Sequence, residues 1–90
     1  MYKLDPTKDT LKFLNGLDAK QYRQIGRKIF SLLNNPLPHD CEEIKGTDNY
    51  FRVDIGEYRV IYRIEEETLK LVLIGIRNDG DVYKKLERKI

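Results

Sequence analysis

The chain predicts an α+β fold: a small, mostly antiparallel sheet with an N-terminal helical hairpin packed on one face and a short C-terminal helix. Three observations carry that expectation. Residues 50–64 alternate apolar and polar on both sides of Gly56-Glu57, as a half-buried β-hairpin does. Residues 22–33 repeat apolar side chains at helical spacing. Residues 69–76 are apolar at nearly every position, which suits a strand covered on both faces.

Taken in order, Tyr2-Lys3-Leu4 is short and alternating and suits an edge strand, and Asp5-Pro6 is expected to open the first helix. Leu11 and Leu14 would face inward, and Asn15-Gly16, which tolerate left-handed φ, would end that helix. Asp18 caps the second helix, with Gln21 three residues on and Leu17 placed to staple against Tyr22. Tyr22, Ile25, Ile29, Leu32 and Leu33 form its inward stripe, and Asn34-Asn35-Pro36 stops it. Residues 36–49 hold Pro36, Pro38 and Gly46 and read as an ordered loop.

The central hairpin is the most specific stretch. Glycine first in a two-residue loop predicts a type II′ turn, setting Ile55 opposite Tyr58 and Asp54 opposite Arg59. Arg52, Asp54, Arg59 and Arg63 then share the face that the helices leave open. Glu65-Glu66-Glu67-Thr68 makes the next turn. Arg77 ends the last strand, on a face that depends on register and on any bulge at Gly75. Asn78-Asp79-Gly80 breaks the chain, and Asp81 caps the C-terminal helix.

The 90 residues suffice for one domain, 1–90, with one modest core. There is no long apolar run and no charged-then-apolar leader, so the expectation is a cytoplasmic protein with neither membrane span nor secretory signal. A single Cys41 and a single His39 supply neither a disulfide nor a zinc set; no metal and no cofactor is expected. With 17 Lys plus Arg against 15 Asp plus Glu, the net charge of +2 excludes a generic polycation, so any nucleic-acid binding must come from local clusters. One cluster is the hairpin face, where every basic residue is arginine, the side chain whose planar fork grips phosphate through two donors. The other is Tyr83-Lys84-Lys85-Leu86-Glu87-Arg88-Lys89, a type of tail that is more often a solvated helix face. Arg63, Lys84 and Lys85 are the candidate nucleic-acid-contacting positions of these clusters.

A pattern runs along nearly the whole chain: the Leu-rich helical hairpin before Pro36, Ile44-Lys45-Gly46, Tyr50-Phe51-Arg52-Val53, Gly56-Glu57-Tyr58-Arg59-Val60-Ile61-Tyr62, Gly75-Ile76-Arg77 and Asp81-Val82-Tyr83. It resembles the RelE/ParE superfamily of bacterial type II toxin–antitoxin systems, with the final Arg plus Val-Tyr element pointing to the RelE branch. The resemblance implies a RelE-like toxin domain. It implies a metal-independent endoribonuclease, an mRNA interferase that enters the ribosomal A site, cuts messenger there by 2′-hydroxyl attack and so inhibits translation. A cognate antitoxin would silence it in a hetero-oligomer. Carried over by position, Arg59, Arg77, Tyr83 and Arg52 are the candidate catalytic residues. Asp54 stands where RelE itself has a second lysine, which leaves the general base open; it is read as orienting Arg59. Two alternatives stay open: a ParE-like inhibitor of DNA gyrase, and a catalytically decayed toxin retained as an antitoxin-binding partner.

Overall fold

One five-stranded sheet organises the molecule, in the order β1-β5-β4-β3-β2. The structure is a computed structural model and describes residues 1–77 and 81–89, apart from side chains at 81, 82 and 89. Along the chain its elements are β1 (Lys3–Pro6), α1 (Lys8–Asn15), α2 (Ala19–Asn34), β2 (Glu42–Glu43), β3 (Tyr50–Ile55), β4 (Tyr58–Glu65), β5 (Thr68–Ile76) and α3 (Asp81–Lys89). β1 runs parallel to β5 and every other pairing is antiparallel. Among the described residues no helix is long and apolar enough to cross a membrane. The Asn78-Asp79-Gly80 break and the Asp81 cap lie outside what is described.

The hairpin forms in the expected register, with Ile55 against Tyr58 and Asp54 against Arg59. Gly56 adopts φ +56°, the one left-handed residue of its turn, as a type II′ geometry requires. A Cβ there would lie 3.0 Å from Gln24 Nε2 on α2, the end of a flexible side chain that can move aside, so it is the turn that selects glycine. Phe51, Val53, Ile55, Tyr58, Val60, Tyr62 and Ile64 all point toward the helices, where they meet Ile25, Ile29, Leu32 and Leu33. Tyr62 is fully buried and stays satisfied because its hydroxyl donates to the Pro36 carbonyl at 2.7 Å. Phe13 meets Tyr58 edge to face and Phe51 stacks on Tyr62.

Several local expectations are corrected. Asp5-Pro6 does not open α1: both stay in β1 beside Lys70 and Leu71, and Thr7 is the cap, its Oγ1 accepting from the Thr10 amide at 3.3 Å. The parallel ladder outcompetes the local capping signal. Leu11 is 47% exposed, because the inward face of α1 runs through buried Thr10, Phe13 and Leu14. Gly16 ends α1 at φ −88° rather than in a left-handed conformation, its amide reaching the Phe13 and Leu14 carbonyls. Asp18 does cap α2, accepting from the Gln21 amide at 2.8 Å, but Tyr22 is 48% exposed and lies outside the stripe. Within the expected 36–49 loop, Glu42–Glu43 pairs with Arg52 and Phe51 as a short edge strand.

The largest departure is in β5. Ile61 pairs with Leu73 and Tyr62 with Leu71, leaving Val72 as the extra residue of a bulge. Side-chain alternation has period two, so one inserted residue reverses every position beyond it. Leu69 and Leu71 therefore face the helical hairpin together with Ile74, while Val72 and Leu73 face the opposite side. The Val72 carbonyl accepts from the Thr7 hydroxyl at 3.0 Å, so the cap residue of α1 also serves the bulge. Gly75, the position the sequence offered for a bulge without deciding it, pairs regularly with Arg59. The second face is not left open either. Leu86 of α3 packs against Ile61, Val72 and Leu73, with Ile44, Tyr50 and Tyr83 around them.

Candidate active site

Strands β3 and β4 place Arg52, Asp54, Arg59 and Arg63 on the α3 side of the sheet. Arg59 donates from Nε to Asp54 Oδ1 at 2.7 Å and from Nη2 to Oδ2 at 3.2 Å. Two planar groups directly across a strand pair make this fork possible. The Arg59 side chain is 15% exposed against 39% for Asp54, so the guanidinium is the drier partner. Hydrogen bonds from Arg59 hold the Asp54 carboxyl below the ordinary carboxylate value, against the opposing effect of burial, and the Arg77 and Arg52 charges add to it. Asp54 in turn raises Arg59 above the usual guanidinium value.

Tyr83 reaches this pair from α3. Its hydroxyl oxygen accepts from Arg59 Nη1 at 2.8 Å and from Arg52 Nη1 at 3.1 Å, and the Arg59 guanidinium carbon lies 5.5 Å from the ring centroid. With both lone pairs taken by charged donors, the phenol O–H remains as a donor directed away from the arginines. The ring itself packs on the Ile61–Leu73–Leu86 cluster, which fixes where the hydroxyl sits. Arg52 is also bound by Glu42, its register partner on β2, at Nη2–Oε2 2.5 Å. Asp40, Glu42, Arg52, Val53, Asp54 and Arg59 line a cleft of about 150 Å³.

Four of the sequence candidates thus meet: Arg52, Asp54, Arg59 and Tyr83. Arg77 joins their end of the sheet because the Val72 bulge turns it to the Arg59 side. Its amide extends the ladder to the Glu57 carbonyl at 2.9 Å, its guanidinium donates to the Gly56 carbonyl at 3.3 Å, and its charge is felt at Asp54. Arg63 shares the face but is engaged elsewhere, by Glu65, by the Asp48 carbonyl at 3.3 Å and by the Tyr50 ring at 5.2 Å. Lys84 and Lys85 are exposed on α3, and Lys85 lines a separate cleft with Lys12, Phe13 and Arg88. Glu42 and Asp40 were missed by the sequence reading. Both lie in a stretch without periodic signal; pairing with Arg52 brings Glu42 to the arginines, and Asp40 lines the same cleft while bound to Lys28.

The sequence profile of a family described as "ParE toxin of type II toxin-antitoxin system, parDE" matches residues 4–83. The chain is a toxin of the RelE/ParE superfamily. Over 86 residues the toxin is 28% identical to a Methanocaldococcus jannaschii protein named as toxin RelE1, covering 92% of this chain and 96% of that one. A chain of the archaeal RelE–RelB complex from Pyrococcus horikoshii OT3 superposes with a TM-score of 0.75 at 26% identity, over 84% of the toxin and 94% of its own length. The isolated E. coli RelE toxin superposes with a TM-score of 0.76 over 99% of this chain and 98% of that one; at 20% identity the likeness is one of fold.

Proposed function

We propose that this toxin is a ribosome-dependent mRNA endonuclease of the RelE type, cutting messenger in the A site without a metal. The observation that carries the reading is the Tyr83 hydroxyl held between Arg52 and Arg59 at 3.1 and 2.8 Å. In the reaction the ribose 2′-oxygen attacks the adjacent phosphorus and gives up its proton to a solvent water. The P–O5′ bond breaks, and the leaving 5′-oxygen takes up a proton, giving a 2′,3′-cyclic phosphate and a 5′-hydroxyl. Negative charge builds on the non-bridging oxygens, and preorganised guanidinium donors stabilise it. Arg59, the driest of them, is assigned to the scissile phosphate, with Arg77 beside it. Arg52 holds the adjoining phosphate or polarises the nucleophile. Tyr83 orients the 2′-hydroxyl or donates toward the leaving oxygen, and its ring offers a face to a splayed base. Asp54 orients Arg59; a carboxylate gripped by two guanidinium nitrogens is a poor proton acceptor. Arg63, Lys84 and Lys85 are assigned to more distant stretches of RNA backbone.

The partner implied is a cognate antitoxin, since the Pyrococcus horikoshii relative is described as a complex of RelE with RelB. One observation favours a second reading: the matching family profile bears the ParE name, and ParE toxins act on DNA gyrase. An in vitro translation reaction with the purified chain, its messenger ends mapped by primer extension, separates the two when run beside Arg59→Ala and a gyrase supercoiling assay. Cuts within A-site codons that disappear in the variant are expected. Intact messenger with blocked supercoiling transfers the protein to the gyrase reading, and inactivity in both leaves a decayed toxin that binds antitoxin only.

A further inference from the structure

The cleft around Arg52 and Arg59 is built on two guanidinium groups, yet three carboxylates, Asp40, Glu42 and Asp54, line it with them. Their charges leave the cleft without a positive excess of its own. The three acids are not equivalent. Asp54 is forked onto Arg59, and Asp40 is anchored by Lys28 Nζ at 2.7 Å, outside the cleft lining. Glu42 alone pairs with a cleft arginine from a two-residue edge strand, and its side chain is 68% exposed.

We propose that Glu42 is a specificity-determining residue, an internal stand-in for phosphate that occupies Arg52 Nη2 until a properly presented RNA displaces it. The inference rests on the nuclease reading above and deepens it. An exposed ion pair of this kind contributes little stability, so a phosphate held in register can replace the carboxylate at small cost. A flexible RNA in free solution must pay its own ordering entropy as well as displace Glu42, and it meets the repulsion of the released carboxylate. Displacement of Glu42 lowers affinity by the same factor for both; it decides binding for unpresented RNA, which has few other contacts to hold it, and leaves occupancy by a substrate already held in place nearly unchanged.

The test is binding of a short single-stranded RNA carrying 2′-O-methyl groups, which cannot be cleaved, to the intact chain, to Glu42→Gln and to Glu43→Gln. Glutamine keeps the shape and removes the charge. Glu43 pairs with Phe51 on the neighbouring strand position, so its variant carries the same change in net charge away from Arg52. The expected result is that Glu42→Gln binds the RNA about fivefold tighter than the parent while Glu43→Gln matches it within about twofold. A merely structural ion pair predicts the opposite sign, because its loss would loosen Arg52 and weaken binding. Equal or weaker binding by Glu42→Gln overturns the proposal, as does equal tightening in both variants, which reports net charge alone. Because the RNA is not cleaved, this readout is independent of the translation assay: A-site cleavage with no gain from Glu42→Gln removes the gate and leaves the nuclease, and absence of cleavage removes the nuclease whatever the binding shows.

Discussion

The two faces of the sheet are held by different physics. Toward α1 and α2, Ile25, Leu32, Val53, Val60, Tyr62, Leu69 and Leu71 are all essentially inaccessible to water, and the helical hairpin covers them in one continuous cluster. Toward α3 the buried set among the described residues shrinks to Ile61, Val72, Leu73 and Leu86, beside the ion pairs of Arg52 with Glu42, Arg59 with Asp54 and Arg63 with Glu65. Burial scales with apolar area, so the first face dominates the stability of the fold. Exposed ion pairs contribute little, so the second face has room to spend its charges on binding. The molecule separates the work of folding from the work of chemistry by side of sheet, and β4 carries both, with Val60 and Tyr62 on one face and Arg59 and Arg63 on the other.

A crossed pair of substitutions breaks or upholds that separation, and both effects are large. Ile25→Ala leaves a cavity in the larger cluster and is expected to lower the unfolding free energy by about 2–5 kcal/mol in urea titrations. Its cleavage rate, measured where the variant is still folded, should stay within about threefold of the parent. Arg59→Ala should do the reverse, cutting the rate by about 10²–10³, the usual effect of removing one preorganised donor to a developing oxyanion, with a urea midpoint close to the parent. If Arg59→Ala also unfolds the protein, the arginine face is part of the core and the separation fails.

How much of this was readable follows the same division. The hairpin register was legible because Gly56 demands one turn geometry and the alternation on either side admits one pairing. α2 was legible from Ile25 to Leu33, since a half-buried helix must show its inward stripe. β5 was not. Leu71-Val72-Leu73-Ile74 is apolar on both faces, so sliding it by one residue changes nothing in the pattern, and the side chosen by Arg77 was invisible. At the bulge the contact comes from Thr7, sixty-five residues away, whose hydroxyl donates to the Val72 carbonyl. The site was half legible. Arg52, Asp54 and Arg59 follow from the hairpin alone, whereas their link to Tyr83 needs α3 to dock, and Glu42 needs an edge strand too short to carry any periodic signal.

Leu86 is the joint between the two kinds of face, and its truncation sharpens the comparison. Among the described residues it is the one α3 side chain buried in the smaller cluster, and the ring of Tyr83 rests on the same cluster. Leu86→Ala should lower stability by about 2–3 kcal/mol, the low end of the range for such changes, because a terminal helix can undock rather than leave a cavity. Activity should fall at least as far as in Tyr83→Phe, since the hydroxyl leaves with the helix. Tyr83→Phe keeps the ring and deletes only the acceptor shared by Arg52 and Arg59. Hydrogen bonds from charged donors are worth roughly 1.5–3 kcal/mol, so a decrease of about tenfold or somewhat more in cleavage is expected, with the fold intact by circular dichroism. A Leu86→Ala protein as active as the parent would detach Tyr83 from the reaction.

The smallest effect expected is that of Asp54→Asn, and its pH dependence carries the information. Arg59 depresses the folded-state value of Asp54 below the ordinary one of about 3.9. A depressed carboxylate stabilises the fold at all pH values above its unfolded-state value, and that contribution is lost as the pH falls through the folded one. The stability difference between parent and Asp54→Asn should therefore be flat from pH 5 to pH 8 and shrink only below about pH 4. With Asp54 already half in water, the difference itself should be near the low end for ion pairs, under about 1 kcal/mol. The rate should drop severalfold because Arg59 loses its anchor, and the shape of the rate profile between pH 5 and pH 8 should not change, since the carboxylate is ionised throughout. A rising acidic limb in the parent that vanishes in Asp54→Asn would make this residue the proton acceptor instead, and the polar face would then owe its chemistry to the carboxylate as much as to the arginines.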